Sequence, residues 1–309
     1  MKKLISILIP TFNESDNVYK CYEEVKKELK LLVSYNHEII FLDNRSKDDT
    51  FEKIKIICNK DSDVKAYRYS NNFGIQNSLM YGYSVAKGDA VIQIDCDLQD
   101  SPKVFRLFVD EWEKGNEVDY GVRKDRTDGF ILNIFIKLFY YFLFKISKNS
   151  IPMNAGDFRL ISRKIIINLL KNNISDLYIR GAIAKIGFKQ KGVEYVRKKR
   201  NAGKSKFNLF SYIDFAFTGI TQYSSIPLRF ILYLGIFIMI VSFLLILYYL
   251  FEKFYLGINV SGFATLVCLI LISIGINAIM IGIIGEYLNR VYSQNKIFNQ
   301  VIVDEEINT

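Results

Sequence analysis

The chain has 309 residues, 50% hydrophobic and 24% charged, with a formal net charge of +9. That length holds one large domain plus an appendix, and the hydrophobic share is high for a water-soluble protein with so much charge. The basic excess has no nucleic-acid-binding motif beside it, and Cys21, Cys58, Cys96 and Cys268 show no paired spacing, which argues against a nucleic-acid binder and a disulfide-stapled fold.

Residues 4–9 are a continuous apolar run, which predicts a strand buried on both faces. The run is too short for a secretory signal and breaks at Pro10-Thr11-Phe12-Asn13-Glu14, after which Ser15 or Asp16 can cap a helix. A second strand is predicted over 37–42; it opens on His37, a structural histidine in this reading, and ends in Asp43-Asn44-Arg45-Ser46-Lys47-Asp48-Asp49. Residues 64–69 predict a third strand, followed by Asn71-Asn72-Phe73-Gly74 and a helix through Ala86, and 90–94 predict the fourth. Strands spaced by helix-length segments imply a right-handed parallel α/β sheet whose strands all end in polar residues on one edge. No Gly-x-Gly-x-x-Gly and no Gly-Lys-Ser/Thr loop follows the first strand, so dinucleotide and P-loop readings lose their support.

The fourth strand runs directly into Asp95-Cys96-Asp97-Leu98-Gln99-Asp100. Carboxylates in a tight turn beyond a strand's carboxyl end suit Mg²⁺ or Mn²⁺ carrying a ligand's phosphates. The alternative is a polar strand-to-helix turn, with Ser101-Pro102 starting the next helix. A fifth strand over 118–122 leads to Arg123 and Arg126, whose guanidinium groups are candidates for a phosphate clamp; Arg126 could instead pair with Asp128.

Hydrophobicity is concentrated in the second half. Residues 130–146 form an apolar helix with a polar stripe through Asn133, Lys137, Tyr141 and Lys145, which would either lie in a membrane interface or pack on the sheet. Residues 230–251 and 254–285 contain no charge and each reaches the ~20 residues needed to cross a bilayer. Basic residues flank the pair (Lys198, Lys199, Arg200 and Arg229 before, Arg290 and Lys296 after), and only Lys253 lies between. The positive-inside rule then puts both termini in the cytoplasm of a multi-pass inner-membrane protein, with its basic surface facing anionic headgroups. Gly275, Ala278, Gly282 and Gly285 share one face of the second span, which serves either packing within the hairpin or contact in a homo-oligomer.

Pro10-Thr11-Phe12-Asn13-Glu14, Asp43 with Ser46 and Asp48, Asn72-Phe73-Gly74, Gly88-Asp89, the Asp95–Asp100 run, Asp157-Phe158-Arg159-Leu160 and Arg200 to Phe207 follow one another in an order that resembles family 2 glycosyltransferases of the GT-A fold. Within that family the chain is most similar to the polyprenyl-phosphate sugar transferases, the group of dolichyl-phosphate mannose synthase and the bactoprenol glucosyltransferases. Arg45 stands where the family usually has a small residue, and Ile75 where a polar or basic one is common. The resemblance implies a GT-A catalytic domain over 1–204, a juxtamembrane amphipathic segment over 205–227, a hairpin over 228–286 (spans at about 229–251 and 262–285) and a cytoplasmic tail over 287–309.

The implied reaction is inverting transfer of a hexose from a nucleotide-sugar, UDP-glucose first, to undecaprenyl phosphate on the cytoplasmic membrane face. GDP-mannose, UDP-galactose or a UDP-N-acetylhexosamine are the other donors, and a non-enzymatic membrane scaffold or flippase partner is the reading from another class. By resemblance Pro10, Thr11, Glu14 and Asp43 line the base and ribose pocket with Asp95, while Asp95, Asp97 and Gln99 hold the metal. Asp157 matches a carboxylate that in many inverting enzymes deprotonates the acceptor; a phosphate acceptor needs no base, so Asp157 either takes a proton or orients groups. Arg200, Ser205 and Lys206, on a Gly-bearing loop, would grip the diphosphate or the lipid phosphate.

Overall fold

The computed structural model describes residues 2–123, 155–171, 179–197, 226–251, 254–255, 262–294 and 301–309. The first third alternates as the apolar runs predict: β1 (Leu4–Thr11), α1 (Val18–Leu29), β2 (Asn36–Asp43), α2 (Thr50–Lys60), β3 (Val64–Tyr69), α3 (Ile75–Val85) and β4 (Ala90–Gln93). A 3₁₀ turn at Pro102–Val104 then leads into α4 (Phe105–Glu113) and β5 (Val118–Arg123). Next come β6 (Ala155–Ser162), α5 (Arg163–Lys171), α6 (Ile179–Ile186), β7 (Gln190–Tyr195), α7 (Ile226–Phe251), α8 (Phe263–Gln294) and β8 (Val303–Ile307). Helix α1 starts later than its sequence signals suggest, with Asn17 in the cap position; Ser15 and Asp16 lie in the preceding turn. The helix proposed over 130–146 and the segment 205–225 lie outside the described residues.

The strands form a single sheet in the order β7-β5-β6-β4-β1-β2-β3-β8. It is mixed: β1 runs parallel to β2 and β4, β2 to β3 and β5 to β7, while β6 is antiparallel to β4 and β5, and β8 to β3. Period-2 alternation along β1 and β2 sends Ile5, Ile7, Ile9, Ile39 and Phe41 to a core shared with α1, α2 and α4. Leu8, Ile40 and Leu42 face the opposite core with α3, α5 and α6. Helices on both faces explain why these strands read as unbroken apolar runs.

Gly88-Asp89 lies at the amino end of β4, the edge opposite the polar strand ends. The Gly88 amide donates to Ser6 Oγ (2.8 Å), and a Cβ there would meet that oxygen at 2.6 Å and the Ala90 carbonyl at 2.7 Å. Asp89 Oδ2 accepts from the Leu4 amide (2.8 Å). This pair therefore registers β1 against β4 and takes no part in chemistry at the other edge.

The chain falls into two compact units, Met1–Tyr212 with Lys296–Thr309, and Ile213–Asn295. The tail is thus part of the sheet-bearing unit, because β8 closes the outer edge of β3. In the second unit α7 and α8 run for 26 and 32 residues, α8 continuing well past the apolar stretch that ends at Gly285. Some side chains in both helices lie outside the described residues, and among the described residues alone no helix is long and apolar enough to cross a membrane. Phe237, Phe243, Ile279 and Ile281 are all exposed.

Candidate active site

The parallel strands all deliver their carboxyl ends to one edge, where the polar turns after β1 and β2 are stitched together. Asn13, in the left-handed region at φ 54°, donates its amide to Ser46 Oγ (2.9 Å), and its side-chain oxygen accepts from the Lys47 amide (2.8 Å). The Glu14 amide donates to Thr50 Oγ1 (2.8 Å) and the Ser15 amide to Asp48 Oδ2 (3.3 Å). Thr11 is buried, and its hydroxyl donates to the Leu42 carbonyl (3.3 Å). Asp43 is wholly buried; its carboxylate accepts from the Ser46 amide (3.2 Å) and the Ser46 hydroxyl, with Arg68 Nε at 3.6 Å. Burial pushes its pKa above the ordinary value, against the opposing pull of Ser46 and Arg68. Glu14 accepts from Asn17 Nδ2 (2.6 Å) at the start of α1.

Beyond β4 the chain turns sharply through the acidic run. Leu98 takes a positive φ of 54°, uncommon for a bulky residue, and the Gln99 amide donates to Asp97 Oδ1 (3.1 Å). The turn leaves Asp97 9% exposed and Asp100 2% exposed. Burial first, then the carboxylates of Asp100, Asp157 and Asp97, raise the Asp95 pKa to about 7. Pro10, Leu79, Gln93, Ile94, Asp95, Asp157 and Phe158 line one small pocket here.

Asp157 comes to the same edge because β6 is antiparallel to β4, which puts the start of β6 beside the end of β4. Arg180, at the beginning of α6, grips it in bidentate fashion, Nε to Oδ1 at 2.7 Å and Nη2 to Oδ2 at 2.5 Å. Although burial works the other way, Arg180, Arg159 and Arg123 together hold the Asp157 pKa down at about 2. Gln93 fixes its backbone, donating to the Asp157 carbonyl while accepting from the Tyr83 hydroxyl. On the far side, Asp100 accepts from the Tyr195 hydroxyl and from Arg197 Nε (3.0 Å). Arg123 sits at the carboxyl end of β5, its charge felt by Tyr195, Asp100 and Asp157.

The fold therefore gathers Pro10, Asp95, Asp97, Gln99, Arg123 and Asp157 at one edge, with Thr11 and Asp43 ending β1 and β2 and Glu14 in the turn after β1. Arg126, Arg200, Ser205 and Lys206 lie outside the described residues. Sequence reasoning did not single out Arg180, Tyr195, Arg197 or the acceptor role of Asp100. Arg180 carried a signal, a cation in the first turn of the otherwise apolar helix Ile179–Ile186, whose other charge is Lys185 in the last turn; Arg197 was hidden in a basic run. Among the described residues no three His, Cys, Asp or Glu side chains form a group able to hold a metal ion by themselves.

Residues 6–170 match the model of the family described as glycosyl transferase family 2. The bactoprenol glucosyl transferase of Shigella phage SfV is 36% identical over 303 residues, covering 98% of each chain. The prophage bactoprenol glucosyl transferase homolog of Escherichia coli K12 is 36% identical over 293 residues, covering 94% of this chain and 95% of its own. Among solved structures, mannosyl-3-phosphoglycerate synthase from Rubrobacter xylanophilus aligns at 16% identity with a TM-score of 0.49, covering 74% of both chains.

Proposed function

The chain belongs to glycosyl transferase family 2, and from that premise we propose that it moves glucose from UDP-glucose to undecaprenyl phosphate, with inversion, on the cytoplasmic face of the inner membrane. The observation that carries the chemistry is that Asp95 and Asp157 line one pocket at the carboxyl edge of the sheet, with Asp157 held by Arg180. The observation that carries the acceptor is likeness over nearly the whole chain to relatives named for bactoprenol and glucosyl transfer. A silent scaffold would have no use for buried carboxylates whose desolvation costs stability.

The donor set fits a hard divalent cation. Burial first, and then the neighbouring carboxylates of Asp100, Asp157 and Asp97, push Asp95 up, and two carboxylates leave most coordination positions to phosphates and water. Asp95, Asp97 and Gln99 would hold Mg²⁺ or Mn²⁺, which when bound neutralises a departing diphosphate. Pro10, Thr11 and Asp43, at the carboxyl ends of β1 and β2, and Glu14, in the turn after β1, form the base and ribose side of the site. Arg123 stands at the edge as a guanidinium partner for phosphate oxygens.

A phosphate monoester has a second pKa near ~6 and is mostly dianionic at neutral pH. Its oxygen attacks the anomeric carbon, the bond from that carbon to the diphosphate breaks, and no proton has to be removed. A carboxylate held at about 2 by a bidentate guanidinium is a weak base, so Asp157 orients the sugar or the incoming phosphate.

Two helices support the membrane reading. At about 1.5 Å per residue, α7 and α8 are longer than the ~30 Å hydrocarbon core. The sequence from 230 to 251 carries no charge, and exposed Phe237 and Phe243 would be costly in water. Because β8 belongs to the same sheet as β1, the chain returns to the sheet-bearing unit after α8, as an even number of crossings requires. In a background without the native cysteines, a cysteine at Asn259 should react with an impermeant thiol reagent in intact cells. One at the exposed Thr309 should react only after permeabilisation; labelling at Thr309 in intact cells would reverse the orientation.

The bond made is tested on purified protein with UDP-glucose and undecaprenyl phosphate. Mass spectrometry should find a monophosphate-linked lipid sugar, and chromatography should find UDP. A lipid diphosphate with released UMP would overturn the mechanism.

A further inference from the structure

The C-terminal strand touches more than the edge it covers. Asp304 is ion-paired with Arg45, which stands at a positive φ of 61° in the turn after β2. Glu305 pairs with Lys55 of α2 (2.9 Å) and lies opposite Arg68 in the β3–β8 ladder. Asn308 Nδ2 donates to the carbonyls of Cys58 (2.8 Å), near the end of α2, and Val64 (2.9 Å), at the start of β3. The tail thus braces β3, α2 and the turn between β2 and α2 at once.

That turn holds the polar half of the candidate site. Arg68 reaches the wholly buried Asp43 and directs Nη2 to the Ser46 carbonyl (3.5 Å), and its guanidinium lies over the Phe51 ring at 4.8 Å. Ser46 in turn ties Asp43 to Asn13 of the β1 turn. A small residue at position 45 could not reach Asp304; the arginine there makes the turn answer to the tail.

We propose that β8 is a positioning element for the donor nucleotide, holding the β2–α2 turn through the Asp304–Arg45 and Glu305–Lys55 pairs so that the turn presents a preformed pocket to a nucleoside diphosphate. This rests on the reading of the Asp43 turn as the nucleotide pocket. Arg45 and Asp304 act through Ser46 and Asp43 and touch no reacting atom. The pair is about half exposed, so its loss alone shifts affinity little, whereas a charge reversal adds repulsion to the loss.

The test uses the full-length protein in lipid nanodiscs, with UDP binding measured by calorimetry and turnover by product formation. Asp304→Arg should raise both the Kd for UDP and the KM for UDP-glucose about five- to tenfold, while kcat and the KM for the lipid stay within about twofold. The charge swap Arg45→Asp with Asp304→Arg should bring both donor constants back towards wild type. Unchanged UDP affinity in Asp304→Arg overturns the proposal. So does a loss that the swap leaves unrepaired while the melting temperature falls, since that marks general destabilisation. If the wild-type protein binds no nucleoside diphosphate, the nucleotide reading and this inference fall together; if it binds UDP and Asp304→Arg binds it equally, only this inference falls.

Discussion

Asp97→Asn should lower turnover by at least about a hundredfold, the scale of losing a principal electrostatic stabiliser. Asp97 is held in the turn by the Gln99 amide and is only 9% exposed, so the substitution keeps shape and removes charge. Melting temperature and membrane insertion should stay near wild type, because the side chain packs at the edge of the sheet rather than in its apolar layers. The measurement is kcat with saturating donor across a titration of Mn²⁺. Near-normal turnover that still responds to added metal would remove Asp97 from the site.

The second large effect is expected from the partner of Asp157, not from Asp157 itself. Asp157→Asn should cost only about tenfold in kcat/KM if the carboxylate orients groups and accepts no proton. Arg180→Ala should cost about a hundredfold and lower thermal stability, because removing one partner leaves a largely buried carboxylate uncompensated. The sign of the pH effect follows from the depressed pKa. Asp157 contributes stability that is full above its unfolded value of about 3.9 and lost as pH falls towards about 2, at most about 3 kcal/mol. The wild-type rate should therefore show no titration of Asp157 at or above neutral pH. An equal collapse of Asp97→Asn and Asp157→Asn would instead make Asp157 an obligatory base.

The alternation of β1 to β4 with α1 to α3 was legible because a parallel sheet covered on both faces writes its strands as unbroken apolar runs. Asp95, Asp97 and Pro10 were legible for a related reason: in such a fold the polar residues directly after each run converge on one edge. Arg180 and Tyr195 were not, because they come from α6 and β7, whose approach depends on the antiparallel turn of β6 and on no local pattern. The strand β8 escaped notice too. Val303-Asp304-Glu305-Glu306-Ile307 reads as an acidic tail, and it is a strand only because the outer edge of β3 offers it a ladder. Gly88-Asp89, part of the resemblance, registers β1 against β4 at the opposite edge of the sheet.

The pairing of β3 with β8 also sets an order of events during synthesis. Ala66 waits for Ile307, so the sheet stays open along β3 while more than two hundred further residues are made. At ribosomal rates of roughly 5–20 residues per second, that exposure lasts on the order of tens of seconds. The waiting edge carries Lys65 and Arg68, charges of the kind that discourage wrong strand addition. The edge of β3 is covered only after both long apolar helices have been synthesised, because β8 follows them in the chain. A product cut short anywhere in α8 would keep an unpaired edge, and a cell could recognise it by that edge as unfinished.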